Sequence, residues 1–231
     1  MKLLECINVN KSFDDKIILK NVNLTIEKGK IIGLLGKNGT GKSTLIKLIN
    51  DLLTLSSGKI LINGKEVGVE TKKVVSYLPE RSYLDKTMTV DKVIEYFEDF
   101  YDNFDSKKAR KLLSDLNLDT TLKLSKMSKG MQEKVNFFLV MCRKADLFIL
   151  DEPLGGVDPA TRDYILDTIV NNVNKDSSVI ISTHLISDVE KILDEVIFID
   201  NGKIDLKSDS DKLRKKENAS IDEIFRRMFK C

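Results

Sequence analysis

Gly36-Lys37-Asn38-Gly39-Thr40-Gly41-Lys42-Ser43 follows the order Gly, four residues, Gly-Lys-Ser, with Thr44 next. That order suits a loop that binds phosphate. Glycines let backbone N–H groups curl around phosphate oxygens, and the helix start that follows adds partial positive charge. Lys42 is placed to reach the β- and γ-phosphates of a nucleotide. The Ser43 hydroxyl is placed to ligate Mg²⁺.

A second group lies far along the chain. Leu147-Phe148-Ile149-Leu150 is an apolar run that ends in Asp151 and Glu152. Carboxylates at the end of a buried strand are costly unless something compensates them. A metal ion and a polarised water would do so, with Asp151 in the Mg²⁺ shell and Glu152 orienting or activating the water. His184 is the single histidine, and it follows Val179-Ile180-Ile181-Ser182-Thr183, another apolar run. If these runs are neighbouring strands, His184 reaches a γ-phosphate held at Gly36–Ser43.

The elements that must position these groups can be read from hydrophobic spacing. Ile31–Leu35, Leu147–Leu150 and Val179–Ile181 are unbroken apolar runs, as expected of parallel strands covered on both faces. Each ends in a small polar or charged cluster, the arrangement that delivers residues to the carboxyl edge of a parallel sheet. Val22, Leu24 and Ile26 alternate with polar residues, as do Ile60 and Ile62 before the turn pair Asn63-Gly64. Those segments predict half-buried antiparallel strands. Leu45, Leu48, Ile49 and Leu52 predict a helix directly after the loop.

The middle reads as helical. Val90, Val93, Ile94, Phe97, Phe100, Tyr101 and Phe104 form one stripe at helical spacing. Ala109, Leu112, Leu113 and Leu116 form a second, with Ser106 as its expected cap. Residues 85–145 are thus expected to be a helical insertion between a core of residues 1–84 and 146–205, with 206–231 as an extension. Within the extension, 207–218 reads as a charged linker. Ser220 and Glu223 then form a capping box ahead of Ile221, Ile224, Phe225 and Met228.

Composition narrows the class. The 231 residues carry 38 basic and 36 acidic side chains, a formal net charge of +2. That near-balance speaks against nucleic-acid binding by bulk charge. No apolar run approaches the ~18 residues of a spanning helix, and the N-terminal residues lack a signal-peptide core, so a cytosolic protein is expected. Cys6, Cys142 and Cys231 are too scattered for a disulfide framework or a zinc site.

Met127-Ser128-Lys129-Gly130-Met131-Gln132 completes a pattern that residues 3–205 share with a known family. The chain resembles the ATP-binding subunits of ABC transporters. The stretch matches a variant of that family's signature sequence and lies shortly before Asp151, as in the family. The variant looks like that of bacterial exporters of drugs or peptides. The resemblance implies an α/β fold of the RecA-like P-loop NTPase type. Its parts would be a mostly parallel sheet, a peripheral antiparallel β subdomain and an inserted α-helical subdomain. It implies ATP and Mg²⁺ as bound groups, with Phe13 stacking on adenine and Ser128 and Gly130 touching phosphate. It further implies Asp158 in a loop bridging two subunits, and a dimer of this chain with itself or a related chain. Separate transmembrane permease subunits would hold it on the inner face of the membrane, with no nucleic acid involved.

Glu80 stands where the family usually has Gln, and it is a further candidate Mg²⁺ ligand. Lys129 and Met131 replace the commoner Gly and Gln. Ser128 is expected to cap a helix whose N-terminus is an anion site. Lying away from the chain's own loop, it would close on ATP held by a second subunit. Arg81, Tyr83 and Leu84 at the join read as a socket for a short helix of the permease, with packing of Tyr83 and Leu84 inside the insertion as the alternative. The alternatives are a soluble ABC-type ATPase acting on DNA or ribosomes, and a nucleotide-sensing module without turnover.

Overall fold

The computed structural model describes residues 1–229, so Cys231 lies outside the described residues. The chain opens with β1 (Lys2–Phe13), β2 (Lys16–Glu27), β3 (Ile31–Leu35), α1 (Lys42–Ile49), β4 (Ser57–Ile62) and β5 (Lys65–Glu66). Next come α2 (Val69–Lys72), β6 (Val75–Leu78), α3 (Val90–Phe100), α4 (Ser106–Asp115) and α5 (Lys129–Met141). The remainder is β7 (Leu147–Asp151), α6 (Pro159–Asn172), β8 (Ser178–Ser182), α7 (Ile186–Val189), β9 (Glu195–Asp200), β10 (Lys203–Asp209), α8 (Ser210–Glu217) and α9 (Ile221–Phe229).

Two sheets form. One has the order β2-β1-β4-β5 and is antiparallel throughout. Val22, Leu24 and Ile26 of β2 point into its covered face. Asn63 and Gly64 turn β4 into β5 with positive φ at both positions, the geometry of a tight hairpin. The other sheet has the order β10-β9-β3-β8-β7-β6. Its strands are parallel except the edge strand β10, so the whole is α/β with a mostly parallel core. Strands β3, β7 and β8 are buried along their full length, because helices or the second sheet cover both faces.

This order places function. β8 lies between β3 and β7, with Ser182 level with both Leu34 and Asp151. The ends of β3, β7, β8 and β6 therefore meet at one edge. Helices α3, α4 and α5 share a core of Val93, Phe97, Leu113, Val135 and Phe138 with the sheet's Phe148 and Leu150. Arg143 joins them to the sheet. It is buried, stacks on Tyr101 at 3.9 Å, and donates to the carbonyls of Lys72, Lys73 and Val75 and to Asn103.

Several sequence expectations need correction. The cap of α4 is Asp105, which accepts from Lys108 N at 2.9 Å; Ser106 is already inside the helix and bonds Glu98. The aromatic stripe breaks at Phe100, where α3 ends. Phe100 is 65% exposed, and it stacks on Tyr96. The charged stretch 207–218 is no linker. Its first part pairs with β9 as β10, and the rest is α8, capped by Asp209 at Lys212 N and closed by left-handed Asn218. The Ser220–Glu223 box does form, at 2.9 and 3.1 Å. On α9, however, Phe229 is buried and Met228 is exposed.

Candidate functional site

Residues 36–43 pass from β3 into α1 as a loop wrapped around its own lysine. Lys42 Nζ donates to the carbonyls of Gly36 at 2.6 Å and Lys37 at 2.9 Å. Thr40 Oγ1 closes the bend on Lys37 O at 2.8 Å. Gly41 starts the helix at φ +108°, a conformation that side chains resist, and a Cβ there would strike Leu19 at 2.7 Å. The first turn of α1 has N–H groups without intrahelical partners and no acidic residue to occupy them.

The loop faces a cavity of about 410 Å³. Asn38, Gly39, Gly41, Lys42, Ser43 and Thr44 line it from one side. Glu80, Asp151, Glu152, Ser182 and His184 line it from the sheet edge. Residues more than a hundred positions apart thus meet because β3, β8 and β7 are neighbours. Phe13 is outside this lining. It sits half-exposed where β1 turns into β2, with Lys11 Nζ 4.5 Å above its ring. Lys16, the partner of Phe13 across the β1–β2 hairpin, and Ile18 line the cavity without carrying a motif.

Asp151 is 5% exposed. Burial raises its pKa, Ser182 Oγ opposes that from 2.6 Å, and the neighbouring Glu152 and Glu80 charges push it up further. Burial also lowers the Lys42 pKa, against the pull of Glu152 and Asp151. A buried carboxylate with one hydroxyl donor and acidic neighbours is short of positive charge. Among the described residues no group of three or more His, Cys, Asp or Glu is arranged to hold a metal by itself. Mg²⁺ needs no such cage, because one or two carboxylates suffice when phosphates supply the rest. Ser43, Asp151 and Glu80 on one cavity fit that requirement.

Glu152 has φ +54°, the one residue in the left-handed region among the described residues that is not Gly, Asn or Asp. The turn aims its carboxylate at the end of β8. Thr183 Oγ1 donates to Glu152 Oε2 at 3.0 Å, and His184 Nδ1 lies 2.9 Å from the same oxygen. Motif reading missed Ser182 and Thr183. Their signal was the register that sets two hydroxyls opposite two acids.

Ser128 and Gly130 lie at the start of α5, away from the loop. Ser128 caps the helix, its Oγ accepting from Met131 N at 3.3 Å. Asp158 caps α6 through Thr161 N at 3.0 Å and Thr161 Oγ1 at 2.7 Å, and those bonds hold its carboxyl well below the usual range. Beside the join at Glu80, a groove of about 520 Å³ runs between α1 and the helices, lined by Arg81, Tyr83, Phe100 and Arg143 among others. Tyr83 is 58% exposed there, whereas Leu84 packs against the core.

Comparison with known proteins gives a consistent result. The family description "ABC transporter" matches residues 19–155. A relative from Bacillus subtilis (strain 168), "ABC transporter ATP-binding protein YtrB", is 31% identical over 92% of this chain and 74% of its own. "Lantibiotic transport ATP-binding protein SrtF" of Streptococcus pyogenes is 30% identical over 90% of this chain and 92% of its own. A solved structure described as an ATP-binding subunit of an ABC transporter superposes with a TM-score of 0.90, covering 98% of this chain and 99% of that one at 27% identity.

Proposed function

The chain belongs to the ABC transporter family as an ATP-binding, ATP-hydrolysing subunit, and from that membership we propose how its own residues do the work. The phosphates lie in the 36–43 loop, with Thr44 closing its end and Lys42 contacting the β- and γ-phosphates. Ser43 and Asp151, with Glu80, hold Mg²⁺. The ion supplies charge neutralisation on the phosphate oxygens. Glu152 takes a proton from the attacking water as its oxygen bonds the γ-phosphorus and the bond to the ADP oxygen breaks. His184 holds Glu152 and the γ-phosphate in line. The observation that carries this reading is convergence: Lys42, Ser43, Glu80, Asp151, Glu152 and His184 all line one cavity. Steady-state phosphate release from MgATP by the purified chain tests it, with Asp151→Asn expected to lose most turnover.

One solved ATP-binding cassette of this fold is described as a dimer in a post-hydrolysis state bound to ADP and Pi. We infer that the Ser128–Gly130 end of α5 seats on ATP held by a second copy or a related chain. The groove at Tyr83 receives the permease, because it adjoins the Glu80 join on one side and the helices on the other. No helix among the described residues is long and apolar enough to cross a membrane. We assign the membrane path to a separate permease subunit. That partner would place the chain on the inner face of the membrane. The lantibiotic-transport relative and a linearmycin-resistance relative favour export as the direction.

A further inference from the structure

Two consecutive residues of α5 face the segment that leads from Glu152 to α6. Lys134 Nζ lies 3.3 Å from Asp158 Oδ2. Glu133 lies beside Gly156: a Cβ built on that glycine would stand 2.5 Å from Glu133 Oε2, and Gly156 itself is at φ +71°. One turn earlier on α5, a Cβ on Gly130 would stand 3.3 Å from the carbonyl of Gly156. The same short turn is tied back to Glu152, since Gly155 N donates to Glu152 O at 3.1 Å. Glu133, Gly155, Gly156 and Glu152 line one cavity of about 620 Å³.

Glu133 is poorly satisfied in this setting. Its Oε2 is buried, and among the described residues no donor reaches it. Its Oε1 has only Lys129 at 3.6 Å, a side chain 85% exposed. Burial raises the Glu133 pKa, with Lys129 opposing. A buried acceptor without a donor destabilises the fold. Its position between the start of α5 and the Gly156 turn offers a reason for its presence.

We propose that Glu133 is a positioning residue for ATP hydrolysis: lodged against Gly156, its carboxylate passes the placement of the Ser128 end of α5 to the turn that carries Glu152 of the same chain. When α5 seats on a second copy's nucleotide, Glu133 moves with it, and the Gly155–Gly156 turn it borders shifts in turn. Closure of the dimer at one site thereby sets the water-activating carboxylate at the other. This inference rests on the roles proposed above for Glu152 and for the start of α5.

The test is a double-mutant cycle read by turnover, nucleotide affinity and melting temperature. Glu133→Ala lowers kcat roughly tenfold, the size of a modest coupling between sites. Affinity for a fluorescent ATP analogue stays unchanged. The Tm holds or rises, because an unsatisfied buried group has gone. Glu133→Gln keeps the shape and returns most of the rate. Gly156→Ala displaces the carboxylate and lowers kcat as well. The double variant loses no more than the worse single one, because both changes break one contact. An unchanged kcat in Glu133→Ala overturns the inference, as do losses in the two single variants that multiply in the double. A lowered Tm with proportionate loss of active protein marks Glu133 as structural and overturns it too. ATP turnover by the unmodified chain, and its loss in Glu152→Gln, test the underlying reading separately. If those hold and Glu133→Ala is silent, this inference alone fails; an inactive unmodified chain overturns both.

Discussion

His184 Nδ1 stands 2.9 Å from Glu152 Oε2, although 32 positions separate them, because β7 and β8 are adjacent. An imidazole against a carboxylate fixes the orientation of both. Glu152→Gln keeps the side-chain shape and removes its basicity. ATP should still bind and bridge two chains while hydrolysis nearly stops. Gel filtration in MgATP then shows a stable dimer that the unmodified chain forms only briefly. His184→Ala loses turnover with binding largely kept. Hydrolysis by Glu152→Gln at the original rate would remove Glu152 from the role of base.

Lys42→Ala has two effects at once. It removes the positive charge aimed at phosphate, and it leaves the carbonyls of Gly36 and Lys37 without their shared donor. Charge-assisted contacts of this kind contribute roughly 1.5–3 kcal/mol, or ~10- to 100-fold in affinity. Titration of a fluorescent ATP analogue measures it. Undiminished binding sinks the assignment of the loop.

The groove proposed to receive the permease is tested most directly at its exposed aromatic residues. Leu84 packs inward, so a charge there tests folding rather than docking. Tyr83 and Phe100 are exposed along the groove. Tyr83→Asp with Phe100→Asp should leave ATPase activity intact and abolish co-purification with the membrane subunit. A complex of undiminished yield places the socket elsewhere.

A pH effect follows from Glu195, which bonds Lys30 and lies 3.1 Å from Lys207. Burial alone raises its pKa, but the two lysines outweigh burial and bring it below the ordinary 4.5. A carboxyl lowered in the folded state contributes stability above its unfolded value, and the contribution is lost as pH falls through the folded one. Glu195→Gln should therefore melt a few degrees lower at pH 7. Both lysines are about a third exposed, so the loss is about 1 kcal/mol rather than that of a fully buried pair. The gap between the variant and the unmodified chain should narrow as pH falls below the ordinary 4.5 and close once the folded carboxyl is protonated. A gap that persists in acid rules out the ion pairs as its source.

The phosphate loop, the two acids and the buried strands were legible because each is a local pattern with a physical purpose. What was not legible depends on register or on distant packing. Ser182 bonds Asp151 only because β7 and β8 align those two residues. The 207–218 stretch reads as charged, yet β9 offers an unpaired edge that recruits its first residues, and Asp209 caps the rest. Phe100 fits the helical stripe of α3 but falls at its last turn, so it faces the groove instead of the core. Phe13 has the right type for stacking on a base, and its pairing with Lys16, which lines the cavity, follows from the β1–β2 register rather than from any local pattern.

Arg143 makes its joint almost wholly with main chain, at the carbonyls of Lys72, Lys73 and Val75. Carbonyls are present whatever side chain a position bears. Substitutions at 72 and 73 can therefore accumulate without loosening the joint between helices and sheet, as long as the backbone keeps its path. Thr71, Lys72 and Val75 also border the groove beside Tyr83. The surface proposed to match a membrane partner can thus drift and be reselected, while the connection behind it stays mechanically the same.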